Sequence, residues 1–253
     1  MRPVVRRRSP DFLPRMLHAA ARVFARQGLK GARMADIARE MGVAHGSLYN
    51  YVESKEALFL LLVEQWDRAG LELGDREFPL KPPSMESIVD RLRQRVHETF
   101  PLPALDRALG RRRPKDPRAE LESVIQELFV QTERSRDGAT ILERAARDIP
   151  ELFGLFFEQV RRDLFDRMTR YVARRTTEGA FEAGDPQTAA RFVIEAVTFF
   201  ARHRFLDPAP QPLNDDTVRA TIVGLLTRSL LGSKNAVPGI RRSTKRAPRT
   251  RQP

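Results

Sequence analysis

Apolar residues recur every third or fourth position along most of this chain, and that spacing restricts it to packed helices. In the first predicted helix, Leu13, Leu17, Ala20 and Phe24 lie on one face. Glycine is sparse inside the periodic segments, and no segment has the convincing alternation of apolar and polar residues that a β-strand requires. We therefore predict an all-α fold.

Capping residues, glycines and prolines predict where the helices begin and end. Ser9-Pro10-Asp11 begins the first helix, Gly28 ends it, and Ser84 begins a later one. Two proline-containing stretches, 101–103 and 111–117, bracket a predicted loop region. The predicted helices span residues 10–28, 34–41, 45–51, 54 to beyond 66, 84–100, 118–134, 138–147, 150–178, 186–205 and 215–231.

The net charge of +12 is concentrated at the two ends of the chain. Residues 1–70 hold 12 Lys/Arg and 7 Asp/Glu, residues 71–233 hold 26 of each, and residues 234–253 hold 7 Lys/Arg and no acid. This distribution indicates a polyanion that meets particular segments of the protein. A solubilising role for the tail alone remains an alternative, and Arg111–Arg113 is interpreted as a solvated loop.

Composition excludes several classes of protein. The 253 residues include no cysteine, so a disulfide framework, a cysteine metal site and a cysteine nucleophile are excluded. No uncharged apolar run approaches the roughly 20 residues of a membrane span, and the basic N-terminus has no apolar stretch behind it. The chain has no HExxH, GxSxG, Walker or GxGxxG motif. We expect a soluble, cytoplasmic, non-enzymatic protein without a metal or cofactor.

Two short helices joined by a glycine turn form a helix-turn-helix pattern. Ala38 supplies the small residue needed where the helices cross, and Gly42 supplies the left-handed turn. Gly46, near the start of the second helix, lets its backbone approach another molecule closely. Four apolar residues fall where a three-helix core needs them: Ile37, Met41, Val43 and Leu48.

This pattern resembles the DNA-binding domain of the tetracycline-repressor (TetR) family. The matching elements are Ile37-Ala38, Gly42-Val43, Gly46-Ser-Leu-Tyr49 and Ser54-Lys-Glu-Ala-Leu58, within a similarity that covers residues 10–65. A weaker similarity to the family's regulatory domain lies at Gly179–Pro186 and the residues that follow it.

The resemblance implies that His45 and Asn50 reach base edges in the major groove, while Tyr49, Tyr51 and Lys55 hold phosphates. Two alternatives remain open at this point: Tyr51 packs inward against the first helix, or His45 is simply a solvated residue of the first turn. The full set of expected DNA-contacting residues is Arg33, Met34, Ala35, Ala44, His45, Gly46, Ser47, Tyr49, Asn50, Tyr51 and Lys55.

Three positions depart from the usual pattern of the family. Met34 replaces a threonine and Ala44 replaces a serine, which removes two polar groups. Val52 replaces a phenylalanine, which leaves less volume in the small core. Backbone anchoring is then expected to fall more on Arg33, Lys55 and the arm residues Arg6–Arg8.

Family resemblance also suggests four segments: a basic arm over 1–9, the DNA-binding domain over 10–56, a helical effector-binding and dimerisation domain over 57–232, and a basic disordered tail over 233–253. The last two helices are apolar enough to need wide coverage, which pairing in a homodimer would supply. An intrachain helix pair is the alternative. The predicted interface residues are Ala190, Val193, Val197, Phe200, Val218, Ile222, Leu225 and Leu226.

An effector pocket is expected among aromatic residues of the middle helices, although such residues also serve as ordinary core. The candidates are Trp66, Phe100, Phe129, Phe153, Phe156 and Phe157. Because few charges fall among these positions, we expect an apolar or aromatic ligand.

The sequence thus predicts a dimeric transcriptional regulator of double-stranded DNA, by default a repressor, that binds a palindromic operator and is released by a small molecule. The alternative is a DNA-bound architectural protein, or one controlled by a protein partner, without a small-molecule effector.

Overall fold

A computed structural model describes residues 11–65 and 76–231. The predicted arm, Trp66 and the basic tail lie outside these ranges. The described residues are helical, with two isolated β-bridges and no strand. None of these helices combines the length and apolar character needed to cross a membrane.

The helices agree closely with the predicted spans. The α-helices are α1 Phe12–Gly31, α2 Met34–Met41, α3 Lys55–Gln65, α4 Met85–Thr99, α5 Pro103–Gly110, α6 Pro117–Arg134, α7 Arg136–Ala146, α8 Pro150–Phe153, α9 Arg162–Thr177, α10 Pro186–Ala201 and α11 Asp215–Leu230. Two 3-10 helices, His45–Asn50 and His203–Leu206, and a π-helix, Gly154–Arg161, complete the set.

One apolar core joins the N-terminal helices to the middle of the chain. Leu48 and Val52 are buried with α1–α3, and the same cluster continues into Leu142 of α7 and Leu155 of the π-helix. Helix α7 packs along α1. The predicted domain boundary after residue 56 falls inside α3. The helix-turn-helix segment therefore shares its core with helices of the larger part.

The regular part of the first helix ends at Gly28, as predicted, because φ 72° and ψ 171° at this residue are not helical. A short helical stretch beyond this kink continues α1 to Gly31. The position needs a glycine because this backbone conformation is strained for any residue with a Cβ.

The expected loop between Pro101 and Pro117 contains a helix, α5, which the sequence analysis missed. Pro103 occupies the first turn, where its missing N–H costs nothing. The carboxylate of Glu127 in α6 accepts from the backbone N–H groups of Ala104 at 2.8 and 2.9 Å and of Leu105 at 3.3 Å. Because the residue that caps α5 lies 23 positions along the chain, the local sequence around α5 does not reveal it.

A second apolar core holds α5, α6 and α9–α11 together. At its edge the Arg175 side chain is fully buried and donates to Glu120 at 2.7 Å, Glu178 at 2.7 Å and the carbonyl of Ala108 at 2.8 Å. Because every one of these acceptors comes from a different helix or helix end, Arg175 ties α5, α6 and α9 into one unit.

Candidate functional site

The turn between α2 and the His45–Asn50 helix has the predicted geometry. Gly42 adopts φ 68° and ψ 35°, and its N–H donates to the carbonyls of Ala38 and Arg39. Val43 donates to the carbonyl of Ala38 at 3.1 Å. This left-handed turn fixes the direction in which the His45–Asn50 helix leaves α2.

The His45–Asn50 helix presents a polar face to solvent. His45, Gly46, Tyr49 and Asn50 are exposed, while Leu48 is fully buried beneath them. The rings of His45 and Tyr49 meet edge to face with centroids 5.1 Å apart. The exposed groups are imidazole, phenol and amide, which can donate to and accept from base edges.

Other expected contact residues flank this helix. Arg33 and Ala35 are exposed at the start of α2, Ala44 is exposed before the His45–Asn50 helix, and Ser47 is half-buried. Together with the polar face they are the expected contact residues of this segment that are exposed or half-buried, and we call this set the reading surface: residues 33, 35, 44–47, 49 and 50.

Two expected DNA-contacting side chains are buried instead. Met34 packs into the core beneath α2. The Tyr51 ring stacks on Phe12 with centroids 4.8 Å apart and meets Phe78 edge to face. Tyr51 therefore packs inward, which is the alternative that the sequence left open. Its ring is held between two aromatic neighbours and lies beneath the reading surface.

Lys55 performs a structural task that the sequence analysis did not anticipate. Its Nζ donates to the carbonyls of Lys30 and Ala32, both at 3.0 Å. Those carbonyls belong to the end of α1, where backbone acceptors lack helical partners. The ammonium group therefore fastens α3 to the end of α1, directly before the reading surface begins.

An ion-pair cluster fixes α2 against α1. Arg22 and Arg26 donate to the two oxygens of Glu40 at 2.6 and 2.7 Å. These hydrogen bonds hold the pKa of the Glu40 carboxyl below its usual value, and the bond from Arg26 has the larger effect. Because the cluster is exposed, its effect is on orientation more than on stability.

A cavity of about 560 Å³ lies between the larger helices. Its apolar wall combines side chains from five helical segments: Leu102, Leu142, Leu155, Phe156, Leu164 and Ile194. Ligand-binding cavities of proteins usually enclose about 300–1,000 Å³, so the volume suits a small organic molecule.

Of the five predicted pocket residues that the structure describes, Phe100 and Phe156 line this cavity. Phe129 is buried in the second core, Phe153 is 45% exposed, and Phe157 packs beside Phe153 and Phe156. These three residues do not line the cavity, because aromatic spacing along one helix identifies a buried or clustered face and not the space that several helices enclose.

The cavity wall is more charged than expected. It includes four arginines and two aspartates, which no local pattern distinguished: Arg93, Arg161, Arg167, Arg202, Asp106 and Asp163. Arg202 directly follows α10 and is only 5% exposed. Its Nη2 donates to Glu143 Oε2 at 2.6 Å and lies 2.8 Å from His203 Nε2.

Burial and charge shift the pKa values of this group in consistent directions. Burial raises the pKa of Glu143, but Arg202 and Arg147 more than offset this and hold it below the ordinary value. Burial and the neighbouring Arg202 lower the pKa of His203, so its ring is favoured in the neutral form that accepts from Nη2. Arg202 and Glu143 thus form a charged pair with a neutral imidazole beside it.

The predicted dimer residues lie on both sides of their helices. Six of them face the protomer's own core: Ala190, Val193, Val197, Val218, Ile222 and Leu226. These six side chains are covered within the protomer, as the alternative of an intrachain helix pair predicts. Helix α10 packs on α6 and α9, and α11 packs on α6 and α10. Phe200 is half-buried, and Leu225 is 51% exposed. Two exposed aromatic residues were missed on α10, Phe192 at 56% and Phe199 at 48%.

Comparisons with solved structures show the same fold. A bacterial tetR-family regulatory protein from Rhodococcus RHA1 is 20% identical with a TM-score of 0.51, covering 88% of this chain and 98% of its own. The ketosteroid transcriptional regulator KstR2 of Mycobacterium tuberculosis is 17% identical with a TM-score of 0.55, covering 89% and 98%. AibR in complex with isovaleryl coenzyme A and operator DNA is 18% identical with a TM-score of 0.50, covering 85% and 97%.

Comparison with curated proteins found no match. Two family models match the sequence. The model of bacterial regulatory proteins of the tetR family matches residues 16–62, and the model of the AefR-like transcriptional repressor C-terminal domain matches residues 129–227. The first match contains α2, the Gly42 turn and the His45–Asn50 helix, and the second contains α7, α9, α10 and most of α11. This chain therefore belongs to the TetR family of DNA-binding transcriptional regulators.

Proposed function

We propose that this protein is an effector-controlled repressor that binds a palindromic operator as a homodimer. The observation that carries the proposal is the reading surface, where His45, Tyr49 and Asn50 stand exposed on a short helix anchored by Leu48. Polar side chains at such a helix can read base edges, and Arg33 beside them can meet the phosphate backbone.

Dimerisation would use the exposed apolar side chains of α10 and α11. Phe192 and Phe199 are seven residues apart on α10, so they share a face, and Leu225 of α11 is also exposed. Placing the same patch of two protomers together would bury these residues in a four-helix interface. Two reading surfaces could then enter successive major grooves about 34–36 Å apart.

The cavity supports control by a small molecule. Leu142 of α7 lines it, and α7 packs along α1 of the DNA-binding region. A ligand that binds one position of α7 more tightly than another would shift the spacing of the reading surfaces. AibR, whose fold is similar, has been solved in complex with isovaleryl coenzyme A and operator DNA. For this chain we likewise propose a small organic molecule and operator DNA as ligands.

Selection of bound sequences from random duplex DNA by the purified protein tests this function. We expect a palindromic consensus whose half-sites are about one helical turn apart, with an affinity that falls as salt rises. A second selection without residues 234–253 should give the same consensus with a flatter salt dependence. Many dispersed sites without a palindrome would instead favour the architectural alternative.

The dimer has its own test. Phe192→Asp and Phe199→Asp each place a charge in the proposed interface, so sedimentation should show monomers with helical content retained. Leu213→Asp, in the exposed linker before α11, is the matched control and should leave the dimer intact. A wild-type monomer at operator-binding concentrations would contradict the proposal.

A further inference from the structure

We propose that the effector is an organic carboxylate with an apolar body, and that Arg202 is the residue that anchors its carboxylate. This inference rests on the proposed function, because it takes the cavity as the effector site. It goes further in naming the ligand's chemical class and the side chain that selects it.

The first observation is an incompletely satisfied guanidinium in the cavity wall. Arg202 is 5% exposed, and Nη2 is occupied by Glu143 and His203. Its buried Nε has no hydrogen-bond partner in the part of the chain that the structure describes. A buried donor without an acceptor is costly, and a ligand oxygen that displaces the atoms covering Nε would remove that cost.

The second observation is a local surplus of positive charge. Glu143 is shared between Arg202 and Arg147, at 2.6 and 3.1 Å. In the same way, Glu195 is shared between two arginines, Arg161 at 2.6 Å and Arg191 at 3.0 Å. Two carboxylates thus face four guanidinium groups, and Arg161 and Arg202 are the two of these that line the cavity. A ligand carboxylate would reduce this surplus.

The remaining arginines of the wall are already paired with acids, Arg93 with one and Arg167 with two. Arg167 contacts Asp106 at 2.5 Å and Asp163 at 3.5 Å, and Arg93 contacts Asp90 at 2.6 Å. These acids offset the positive charge of Arg167 and Arg93, so an anionic ligand would be attracted less strongly to these two arginines. The surplus charge therefore singles out Arg161 and Arg202, of which Arg202 alone has the unpartnered buried donor.

Four uncharged polar side chains line the cavity, Thr132, Ser135, Gln159 and Thr198, and the hydroxyl donors of the first two are occupied. The hydroxyl of Thr132 donates to the carbonyl of Leu128 at 2.7 Å, and that of Ser135 donates to the carbonyl of Gln131 at 2.8 Å. With these donors occupied, most of the remaining wall is apolar. The ligand that fits such a site has one anionic end and an otherwise apolar body.

The test measures binding of matched probes to the full-length protein by calorimetry. The probes are octanoate, decanoate and 2-naphthoate, each compared with the alcohol and the amine of the same skeleton. We expect at least one carboxylate to bind about tenfold or more tightly than its alcohol, and the amine to bind most weakly. The coenzyme A thioester of each acid forms a further arm.

Arg202→Gln should remove the preference for carboxylate over alcohol, and the double change Glu143→Gln/Arg202→Gln should do the same without leaving Glu143 unpaired. Thermal unfolding and operator binding of each variant establish that it folds. Arg162→Gln removes an exposed arginine of α9 that does not line the cavity, so it should retain the full preference.

Three results would overturn the inference. Equal binding of acid and alcohol, or an unchanged preference in a folded Arg202→Gln protein, would refute the anchor while leaving the effector site intact. Binding of the thioesters but of no free acid would refute the carboxylate. Binding of no probe, with operator binding preserved, would count against the effector function itself and against the inference with it.

Discussion

Asp148, two residues beyond α7, lies directly over Gly28 of α1. A Cβ atom at residue 28 would be 2.6 Å from the Asp148 Oδ2 atom, far inside van der Waals contact. Arg144 of α7 holds Asp148 in an ion pair at 3.5 Å and would itself be 3.7 Å from that Cβ. Gly28 is therefore a point of close contact between the DNA-binding region and the end of α7.

Gly28→Ala should lower the free energy of unfolding by about 1–3 kcal/mol, because φ 72° with ψ 171° is a conformation that residues with a Cβ avoid. Displacement of Asp148 adds to this cost. Denaturant unfolding measures it. Gly31→Ala, where the nearest atom to a new Cβ is 3.8 Å away, is the control and should be neutral or slightly stabilising. Equal effects at both positions would contradict the close contact.

Gly46→Ala should separate DNA binding from folding. A Cβ at residue 46 meets no atom within 4 Å, so stability should change by less than about 0.5 kcal/mol. On the reading surface, however, the added methyl would hold the backbone away from DNA, and we expect a loss of operator affinity of about tenfold or more, as one lost base contact would cause. Gly110→Ala has equally open surroundings and should leave affinity unchanged. Fluorescence anisotropy with labelled operator measures both variants.

Lys55→Met should destabilise the protein by about 1–2 kcal/mol, since the carbonyls of Lys30 and Ala32 lose their charged donor. Operator affinity should fall as well, because the end of α1 leads into the reading surface. Lys30→Met removes an equal charge from an exposed side chain and is the control. If both variants had the same melting temperature, Lys55 would contribute only charge.

Acidification should destabilise the protein through Glu143 and Glu178. Burial raises the pKa of both carboxyl groups, but neighbouring arginines lower it by more. For Glu143 these are Arg202 and Arg147. For Glu178 they are the backbone N–H of Arg113 and the side chains of Arg175 and Arg174. A lowered pKa in the folded state gives stability that is present above the unfolded value of 4.5 and is lost as the pH falls through the folded value.

Urea unfolding between pH 6 and pH 3 would show this loss. Glu143→Gln and Glu178→Gln should each make the decline shallower, because the substituted side chain no longer titrates. Glu158→Gln, at an exposed glutamate of the π-helix, should leave the slope unchanged. An identical slope in all four proteins would refute the assignment.

Local sequence patterns predicted much of the secondary structure and the turn of the helix-turn-helix. Gly42, Ser54 and Ser84 act through neighbours within a few residues, so their roles were visible in the sequence. Helix α5 was not visible, because Glu127 caps it from another helix. Tyr51 was undecided for a similar reason, since its stacking partner Phe12 lies far away in the chain.

The sequence by itself determined most of the helices and the left-handed turn at Gly42, because each depends on contacts between near neighbours. Only the tertiary structure decided which face of α10 is covered within the protomer and which arginines surround the cavity. Periodicity shows that a helix face is apolar but not what packs against it. The surroundings of Arg202 depend on residues from α7, the π-helix and α10, which only packing brings together.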